Sequence, residues 1–223
     1  MKLSVWAGIR LVVHKEITAG LRFRAAWTAM LMFAVTSLAC LSLALQGRDP
    51  GPVILAALLW ILLFFSSFAG ADRVFTDEAA TGTLEVLKIY GPSQAVLFGK
   101  MIYSFGLLFV LACVLVPLYL ILLDVTVLDW GLFSAVIFAG LAGIAAAGTL
   151  IAALTVGSSV HNGLFSVLMF PVILPVFLPA IGLTQQALTG DGAGLAYLGG
   201  IVLYDMILAV AASLLFDYLW YED

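Results

Sequence analysis

Charge is scarce in this sequence, which has 223 residues but only 9 Lys and Arg and 13 Asp and Glu. Charged residues make up 10% of the chain and hydrophobic residues 64%, whereas soluble globular domains have about 25% charged and about 45–50% apolar residues. A chain of this length still exposes much of its surface when folded, so a large core does not account for the excess. The composition excludes an ordinary water-soluble domain and indicates that much of the surface faces lipid.

Cysteine and histidine are equally scarce, with two of each. Cys40 and Cys113 both fall in apolar segments, and no CxxC motif or Cys–His pair occurs, so we expect neither structural zinc nor thiol redox chemistry. A phosphate-binding loop of the form GxxxxGK(S/T) is missing as well. The chain is therefore predicted to hydrolyse no ATP by itself.

Long apolar runs, in contrast, are abundant. Several segments reach the roughly 20 apolar residues that a helix needs to cross a hydrocarbon core about 30 Å thick. Strands of a transmembrane barrel would instead alternate apolar and polar residues over about 10 positions, and helices satisfy their own backbone groups in lipid. We predict one all-α transmembrane domain over residues 1–223. Its six spans are Ala25–Leu45, Val53–Ala71, Met101–Leu123, Gly131–Val156, Leu164–Leu183 and Leu195–Phe216.

The distribution of Lys and Arg predicts how these spans are oriented, because cytoplasmic loops carry the excess of basic residues. Eight of the nine basic residues lie before the first span or around residues 72–100, and only Arg48 lies on the opposite side. Both termini, the loop of residues 72–100 and the turn GSSVHNG are thus predicted to be cytoplasmic. The segments QGRDPGP, DVTVLDW and TQQALTGDGAG are predicted to face outward.

The arm of residues 1–24 has the periodicity of an amphipathic helix. Trp6, Ile9, Val13, Ile17 and Leu21 recur every three or four residues and so share one face. The opposing polar face consists of Arg10, His14 and Lys15. We predict that the arm lies in the membrane interface with its basic side toward lipid phosphates, and that no signal peptide is cleaved. Packing of the arm against the cytoplasmic side of the bundle is a compatible alternative.

Two spans contain residues that are unusual in a membrane. Pro171, Pro175 and Pro179 follow each other at intervals of four on one side of the fifth span. Each removes a backbone hydrogen bond, which fits a movable wall of a pathway or a kink repaired by neighbouring helices. Asp205 is expected to face the bundle interior. It would be protonated, hydrogen-bonded to Ser, Thr or Tyr, or paired with another subunit; a proton relay is a further alternative.

Small residues repeat along the fourth span, at Ala139, Gly143 and Ala147. Such a stripe lets two helices approach closely. We expect it to serve packing within the bundle, or to form the seam of a dimer.

Charged residues are concentrated in the loop FTDEAATGTLEVLKIYGP, residues 75–92. We expect the second span to continue into this loop as a helix, to break at Gly82 and to resume as a second short helix. Glu85 would lie near the start of that helix, where a carboxylate is favourable, and Leu84 and Leu87 would give it an exposed apolar face. The pattern predicts a surface helix that docks another protein, with the charges as solvated flanks and caps.

The loop resembles the segment after the second span of ABC-2-type permeases. Together with the arm, the six spans, the chain length and the proline-rich fifth span, it more closely resembles the haem exporter protein B (CcmB) family of the cytochrome c maturation system. The matching loop residues are Phe75, Asp77, Gly82, Leu84, Glu85, Leu87 and Pro92. The resemblance extends over nearly the whole chain.

The resemblance implies a transmembrane permease subunit of an ABC transporter in a bacterial inner membrane, with the loop as the coupling helix of a cytosolic ATPase. The implied ATPase-coupling residues are Phe75, Asp77, Glu78, Gly82, Thr83, Leu84, Glu85, Leu87 and Pro92. The implied partners are two copies of the ATPase subunit, a second copy of this chain, a haem-handling membrane subunit, a small single-span subunit and a periplasmic haem chaperone. No nucleic-acid partner is implied. ATP hydrolysis would drive haem export or release of the haem-loaded chaperone.

Two alternatives stay open, namely an ABC-2-type exporter of a lipid or drug-like substrate and a non-transporting scaffold that relays ATP-driven motion. The candidate pathway residues are Pro171, Pro175, Pro179 and Asp205. Haem is expected as a transported or partner-bound species and not as a stably bound cofactor, because His is the common axial ligand. His14 and His161 both lie outside the predicted spans. Asp205 and the turn GSSVHNG, which lacks a basic residue, depart from the family pattern.

Overall fold

The computed structural model describes residues 5–22, 25–71, 75, 78, 82–83, 87, 91–155, 161–190 and 194–221, and within them the chain is all-helical. Seven helices are described in this part of the chain. They are α1 (Val5–Arg22), α2 (Ala25–Leu45), α3 (Pro52–Ala71), α4 (Ser93–Leu122), α5 (Trp130–Thr155), α6 (His161–Thr189) and α7 (Leu195–Tyr221). The predicted all-α class is confirmed.

Five of the predicted spans coincide with helices that are long and apolar enough to cross a membrane. Within the described residues these stretches are Trp27–Leu45, Ser93–Leu122, Trp130–Thr155, Gly163–Thr189 and Tyr197–Tyr218. The apolar stretch found in α3 is shorter, Pro52–Phe68. The chain is thus a multi-pass membrane protein by length and composition, and the sixth crossing, through α3, stays a prediction.

The start of the third span was predicted wrongly. Helix α4 begins at Ser93, so the eight residues 93–100 belong to the helix and not to the loop of residues 72–100. Pro92 has the extended backbone of an N-cap, and its carbonyl accepts from the N–H groups of Ala95 (2.9 Å) and Val96 (3.1 Å). Lys100, which the prediction assigned to the loop, is part of α4, and its charge is paired with carboxylates inside the protein, as described below.

Helix α5 is the central helix and packs against α4, α6 and α7. Its glycines admit large side chains from neighbouring helices. The ring of Trp60 from α3 occupies the space that a Cβ on Gly140 would need. The Trp60 indole is fully buried and donates a hydrogen bond of 2.9 Å to Thr184 Oγ1 on α6. The lack of a side chain at Gly140 therefore lets the Trp60 indole of α3 pack against α5 and reach Thr184 on α6.

The small-residue stripe on α5 serves packing within the chain. Ala139 and Ala147 are 7% and 0% exposed, and Gly143 is buried as well. Since these positions are covered by the chain's own helices, the alternative of a dimer seam at this stripe is wrong.

The arm helix α1 packs along the first turns of α4. An ideal Cβ on Gly8 would lie 2.7 Å from Ala95 Cβ, and one on Gly99 would lie 2.7 Å from Val12 Cβ, so the two backbones are close. The face of α1 that contacts α4 therefore contains Gly8 and Val12. The predicted apolar face points away from this seam, with Trp6 82% exposed. Packing against the bundle is confirmed, and placement in the membrane interface stays a prediction that the exposed apolar face supports.

The two ends of the bundle differ in character. At one end, called here the Arg48 end, the segments that follow α2, α4 and α6 line a common cavity of about 460 Å³ that includes Arg48, Asp124 and Thr189. Leu128 and Asp129 donate backbone hydrogen bonds to the Ala187 carbonyl, at 3.1 and 3.0 Å. The structure thus brings the predicted outward-facing segments together. The opposite end, called the Lys100 end, holds α1, the start of α4 and the end of α7.

Candidate coupling site

Among the described residues, four charged side chains meet at the Lys100 end and are called here the charge cluster. It consists of Lys15 and Glu16 from α1, Glu78 from the loop after α3, and Lys100 from α4. Lys100 Nζ lies 2.8 Å from Glu16 Oε1 and 2.8 Å from Glu78 Oε2. Lys15 Nζ lies 3.0 Å from Glu16 Oε1 and also pairs with Glu78. Three segments that are distant in sequence are therefore joined by one ionic network.

Lys100 is the centre of this network. Its side chain is 0% exposed, whereas those of Glu16 and Glu78 are 13% and 10% exposed. A buried ammonium group loses several kcal/mol of hydration unless charged partners compensate it. Two carboxylates do so here, and the Phe75 ring adds a cation–π contact, with Nζ 4.6 Å from the ring centroid. The local fold follows from this requirement, because Glu16 and Glu78 must both reach the start of α4.

The cluster also sets the protonation of its α1 members. Burial by itself would raise the pKa of Glu16, but the positive charges of Lys100 and Lys15 outweigh it and hold that pKa below its usual range. Burial would likewise lower the pKa of Lys15, yet the hydrogen bond to Glu78 and the charges of Glu16 and Glu78 raise it. Both groups are thus ionised at neutral pH.

A row of aromatic side chains connects Phe75 of the loop to the end of α7. The rings of Phe75 and Phe216 are 5.7 Å apart, and those of Phe216 and Trp220 are 4.9 Å apart. Asp217 on the same helix accepts hydrogen bonds from Ser93 Oγ and from Gln94 Nε2, the latter at 3.4 Å. The end of α7 therefore contacts both the loop and the start of α4.

The predicted ATPase-coupling residues do not all share one surface. Phe75 and Glu78 are 1% and 8% exposed and anchor the loop to the bundle, so Glu78 is not the solvated flank that was expected. Gly82 and Thr83 are exposed, and Gly82 has φ +69°, which agrees with the predicted break in the helix. Leu87 is half-buried, as is Pro92. Asp77, Leu84 and Glu85 lie outside the described residues.

The candidate pathway residues are separated by the structure. Pro171 and Pro175 are exposed on the outer side of α6, and Pro179 is half-buried. Asp205 lies on α7. Its Oδ1 is buried and has no hydrogen-bond partner among the described residues. An ideal Cβ on Gly143 would lie 2.5 Å from that oxygen. No single wall of a pathway unites the prolines with Asp205 within the described part of one chain.

Sequence reasoning missed the residues that hold the loop in place, namely Lys15, Glu16, Lys100, Phe216 and Trp220. Weak signals were present for two of them. Glu16 is the only acidic residue in residues 1–24, and Lys100 is surrounded by apolar residues in VLFGKMIYSF. An acidic residue on a basic arm needs a charged partner, and so does a cation within an apolar segment. Neither pattern indicates which residue that partner is.

Fold and site together define a multi-pass, all-helical membrane protein whose arm, inter-helix loop and last helix converge at one end of the bundle. Comparison with known sequences gives the family. Residues 8–216 match the CcmB protein family, and the chain belongs to that family. It is similar to Heme exporter protein B of Haemophilus influenzae, with 25% identity over 211 residues that cover 91% of this chain and 95% of that relative. The resemblance identified from the loop and the fifth span is confirmed.

Proposed function

We propose that this chain is the transmembrane permease subunit of an ABC transporter that serves cytochrome c biogenesis. Its family membership and the name of its relative, Heme exporter protein B, support this proposal. The observation that carries it is the charge cluster, which fastens the loop after α3 to the arm and to α4. In this proposal the chain performs no catalysis, and a cytosolic partner subunit hydrolyses ATP.

The loop is proposed to be the contact with that ATPase. Phe75 and Glu78 anchor it from inside, and the segment that contains Leu84, Glu85 and Leu87 is the proposed docking surface. A displacement of the loop would act on α4 through the Glu78–Lys100 pair and on the arm through Lys15. Because breaking a buried ion pair costs about 3–5 kcal/mol, the loop, the arm and α4 should move as one body.

The outer side of α6 supports the proposal of a second copy. Prolines at positions 171, 175 and 179 leave the carbonyl groups of Val167, Pro171 and Pro175 without their helical amide donors. Such carbonyls avoid lipid and need protein or water. Val167 is 70% exposed in the single chain, so a second copy or a water-filled path is proposed to cover this side.

In the proposed arrangement the Lys100 end is cytoplasmic and the Arg48 end faces the periplasm of a bacterial inner membrane. Two ATPase subunits, a haem-handling membrane subunit, a small single-span subunit and a periplasmic haem chaperone complete the complex. ATP hydrolysis would drive haem export or release of the haem-loaded chaperone. Haem would be carried by partners or in transit, since His14 lies on the arm and His161 at the first residue of α6.

A scaffold that relays ATP-driven motion without transport is the second candidate, favoured by the lack of His within the predicted spans. Purification of the intact complex in mild detergent separates the candidates. Recovery of the ATPase with a haem-handling subunit supports the first proposal, and recovery of the ATPase alone supports an exporter of a lipid or drug-like substrate. ATP hydrolysis without haem flux in proteoliposomes supports the scaffold.

Leu87→Asp is expected to weaken ATPase docking while membrane insertion is preserved. A carboxylate at a half-buried apolar contact must be desolvated when the partner binds, which costs several kcal/mol. The measurement is the amount of ATPase that co-purifies with the chain, together with the cellular content of c-type cytochromes. Gln46→Asp introduces the same charge on an exposed residue at the Arg48 end and should change neither quantity. Unchanged ATPase recovery and unchanged cytochrome content in Leu87→Asp would contradict the docking role.

Asp205→Asn is expected to leave cytochrome c maturation unchanged. The buried Oδ1 has no hydrogen-bond partner among the described residues, and the Tyr204 hydroxyl donates instead to the Val172 carbonyl at 2.7 Å. A proton relay through Asp205 therefore lacks a neighbouring carrier in this part of the chain. The measurement is c-type cytochrome content at equal membrane abundance. Loss of maturation in Asp205→Asn, but not in Asp205→Glu, would instead establish a role for its proton.

A further inference from the structure

A groove runs between α1 and α4 at the Lys100 end, beside the seam of Gly8 and Val12. Its volume is about 740 Å³, which lies within the range of roughly 300–1,000 Å³ typical of ligand pockets. The lining residues are Trp6, Ala7, Ile9, Arg10, Leu11, Val13 and Ile102. The described lining is therefore almost entirely apolar, and Arg10 is the one charged residue in it.

Arg10 differs from the other basic residue of this face of the arm. The sequence pattern placed it on the polar face with His14 and Lys15, but the structure places it among the apolar residues that line the groove. Lys15 is engaged in the charge cluster. Arg10 is exposed and takes part in no ion pair within the described part of the chain. A cation at the edge of an apolar groove favours an amphipathic ligand that has an anionic group and an apolar chain.

The position of the groove further limits which kind of ligand it can bind. It opens beside α4, a helix apolar enough to cross a membrane, and Ile102 on that helix is 49% exposed. Trp6 at its edge is 82% exposed, and Trp is enriched at the level of the lipid head groups. If the arm lies in the membrane interface, as predicted, the groove would face acyl chains and the guanidinium group would face lipid phosphates.

We propose that this groove is a binding site for an anionic phospholipid, with an acyl chain along Ile9, Val13 and Ile102 and the phosphate at Arg10. Haem also has carboxylates on an apolar ring system, but its iron needs an axial ligand such as His, Met, Cys or Tyr. None of these residue types is found among the described residues that line the groove. The lipid site lies on the arm and on α4, whereas the proposed ATPase docking surface lies on the loop, so the two proposals rest on different residues.

The test uses the full-length chain, purified in mild detergent and examined by native mass spectrometry with phosphatidylglycerol or phosphatidylcholine added. We expect the wild-type chain to retain phosphatidylglycerol in preference to phosphatidylcholine. Arg10→Gln should weaken phosphatidylglycerol binding about fivefold, as expected for one basic residue near an anionic lipid surface. Arg10→Lys keeps the charge and should bind as the wild type does. Arg22→Gln removes an exposed cation of α1 that does not line the groove, and it serves as the matched control.

Three results would overturn the lipid site. The first is equal retention of the two lipids by the wild-type chain. The second is an equal loss of phosphatidylglycerol binding in Arg10→Gln and Arg22→Gln, which would mean general attraction to the arm. The third is displacement of the lipid by glycerophosphoglycerol, which lacks acyl chains, or by haemin. Cytochrome c maturation and ATPase recovery are measured in parallel, so failure of the lipid site is distinguishable from failure of the proposed transporter function.

Discussion

Lys100→Met is expected to lower the free energy of unfolding by about 3–5 kcal/mol, the usual cost of removing one partner from a buried ion pair. Methionine keeps an unbranched apolar stem, so the packing of α4 changes little and the loss isolates the charge. Without the ammonium group, the cation that Glu16 and Glu78 still share among the described residues is Lys15, whose side chain is 44% exposed. Two like charges would then face each other in a poorly hydrated site. The measurement is denaturant-induced unfolding of the purified chain in detergent.

The matched control is Lys15→Met, which removes the same group from the same cluster at a solvated position. Its expected cost is about 1 kcal/mol or less, because exposed ion pairs are screened by water. Adding Glu16→Gln to Lys100→Met should recover part of the loss, since it removes one of the uncompensated charges. Equal losses in the two lysine variants, or no recovery in the double variant, would show that the burial of Lys100 does not control the energy of the cluster.

Gly140→Ala is expected to destabilise the bundle by about 3 kcal/mol, near the upper end of the range for overpacking a core. The added methyl group would overlap the six-membered ring of the Trp60 indole. The ring is fully buried, and its Nε1 is committed to the hydrogen bond with Thr184, so a shift of the ring breaks that bond or opens α3 away from α5. The measurement is the same unfolding experiment in detergent.

Gly106→Ala is the control for this second variant. It is also a glycine inside a membrane helix, but a Cβ at that position meets nothing within 4 Å. Alanine favours a helix over glycine by about 1 kcal/mol, so this change should be neutral or stabilising. Trp60→Phe removes the ring atoms that the new methyl group would meet. In the Trp60→Phe background, Gly140→Ala should therefore cost much less than in the wild type, and additive losses would exclude the clash.

Much of the architecture was predictable from local sequence. The observed bounds of α2 (Ala25–Leu45) agree with the prediction, and α3 (Pro52–Ala71) begins within one residue of it. This agreement has a simple cause, because the length of an apolar run and the turn residues that end it are local properties. The error at α4 has the opposite cause. Lys100 looked like a loop residue because a charge in an apolar helix is costly, and the partners that neutralise it lie elsewhere in the chain.

The candidate site was predictable only in part. Residues 75–92 were identified as a special segment from their charge and their helix-breaking Gly82. The family was identified from the pattern of this loop together with the proline-rich fifth span. The pairing of Lys15 with Glu78 spans 63 residues, and that of Lys100 with Glu16 spans 84 residues. Nothing in the neighbourhood of any of these residues indicates such a partner. The same holds for the contact of Phe75 with Phe216, which joins the loop to the last helix.

The sequence by itself determined that this protein is an all-helical, multi-pass membrane protein of the CcmB family with a charged loop at residues 75–92. Apolar length, scarcity of charge and short motifs carry that information locally. Only the tertiary structure decided that Lys100 is buried between two carboxylates, that the stripe on α5 faces the chain's own helices, and that Arg10 lies in an apolar groove. The physical reason is that burial and ionic partners depend on which helix faces meet, and this is set by packing across the whole bundle.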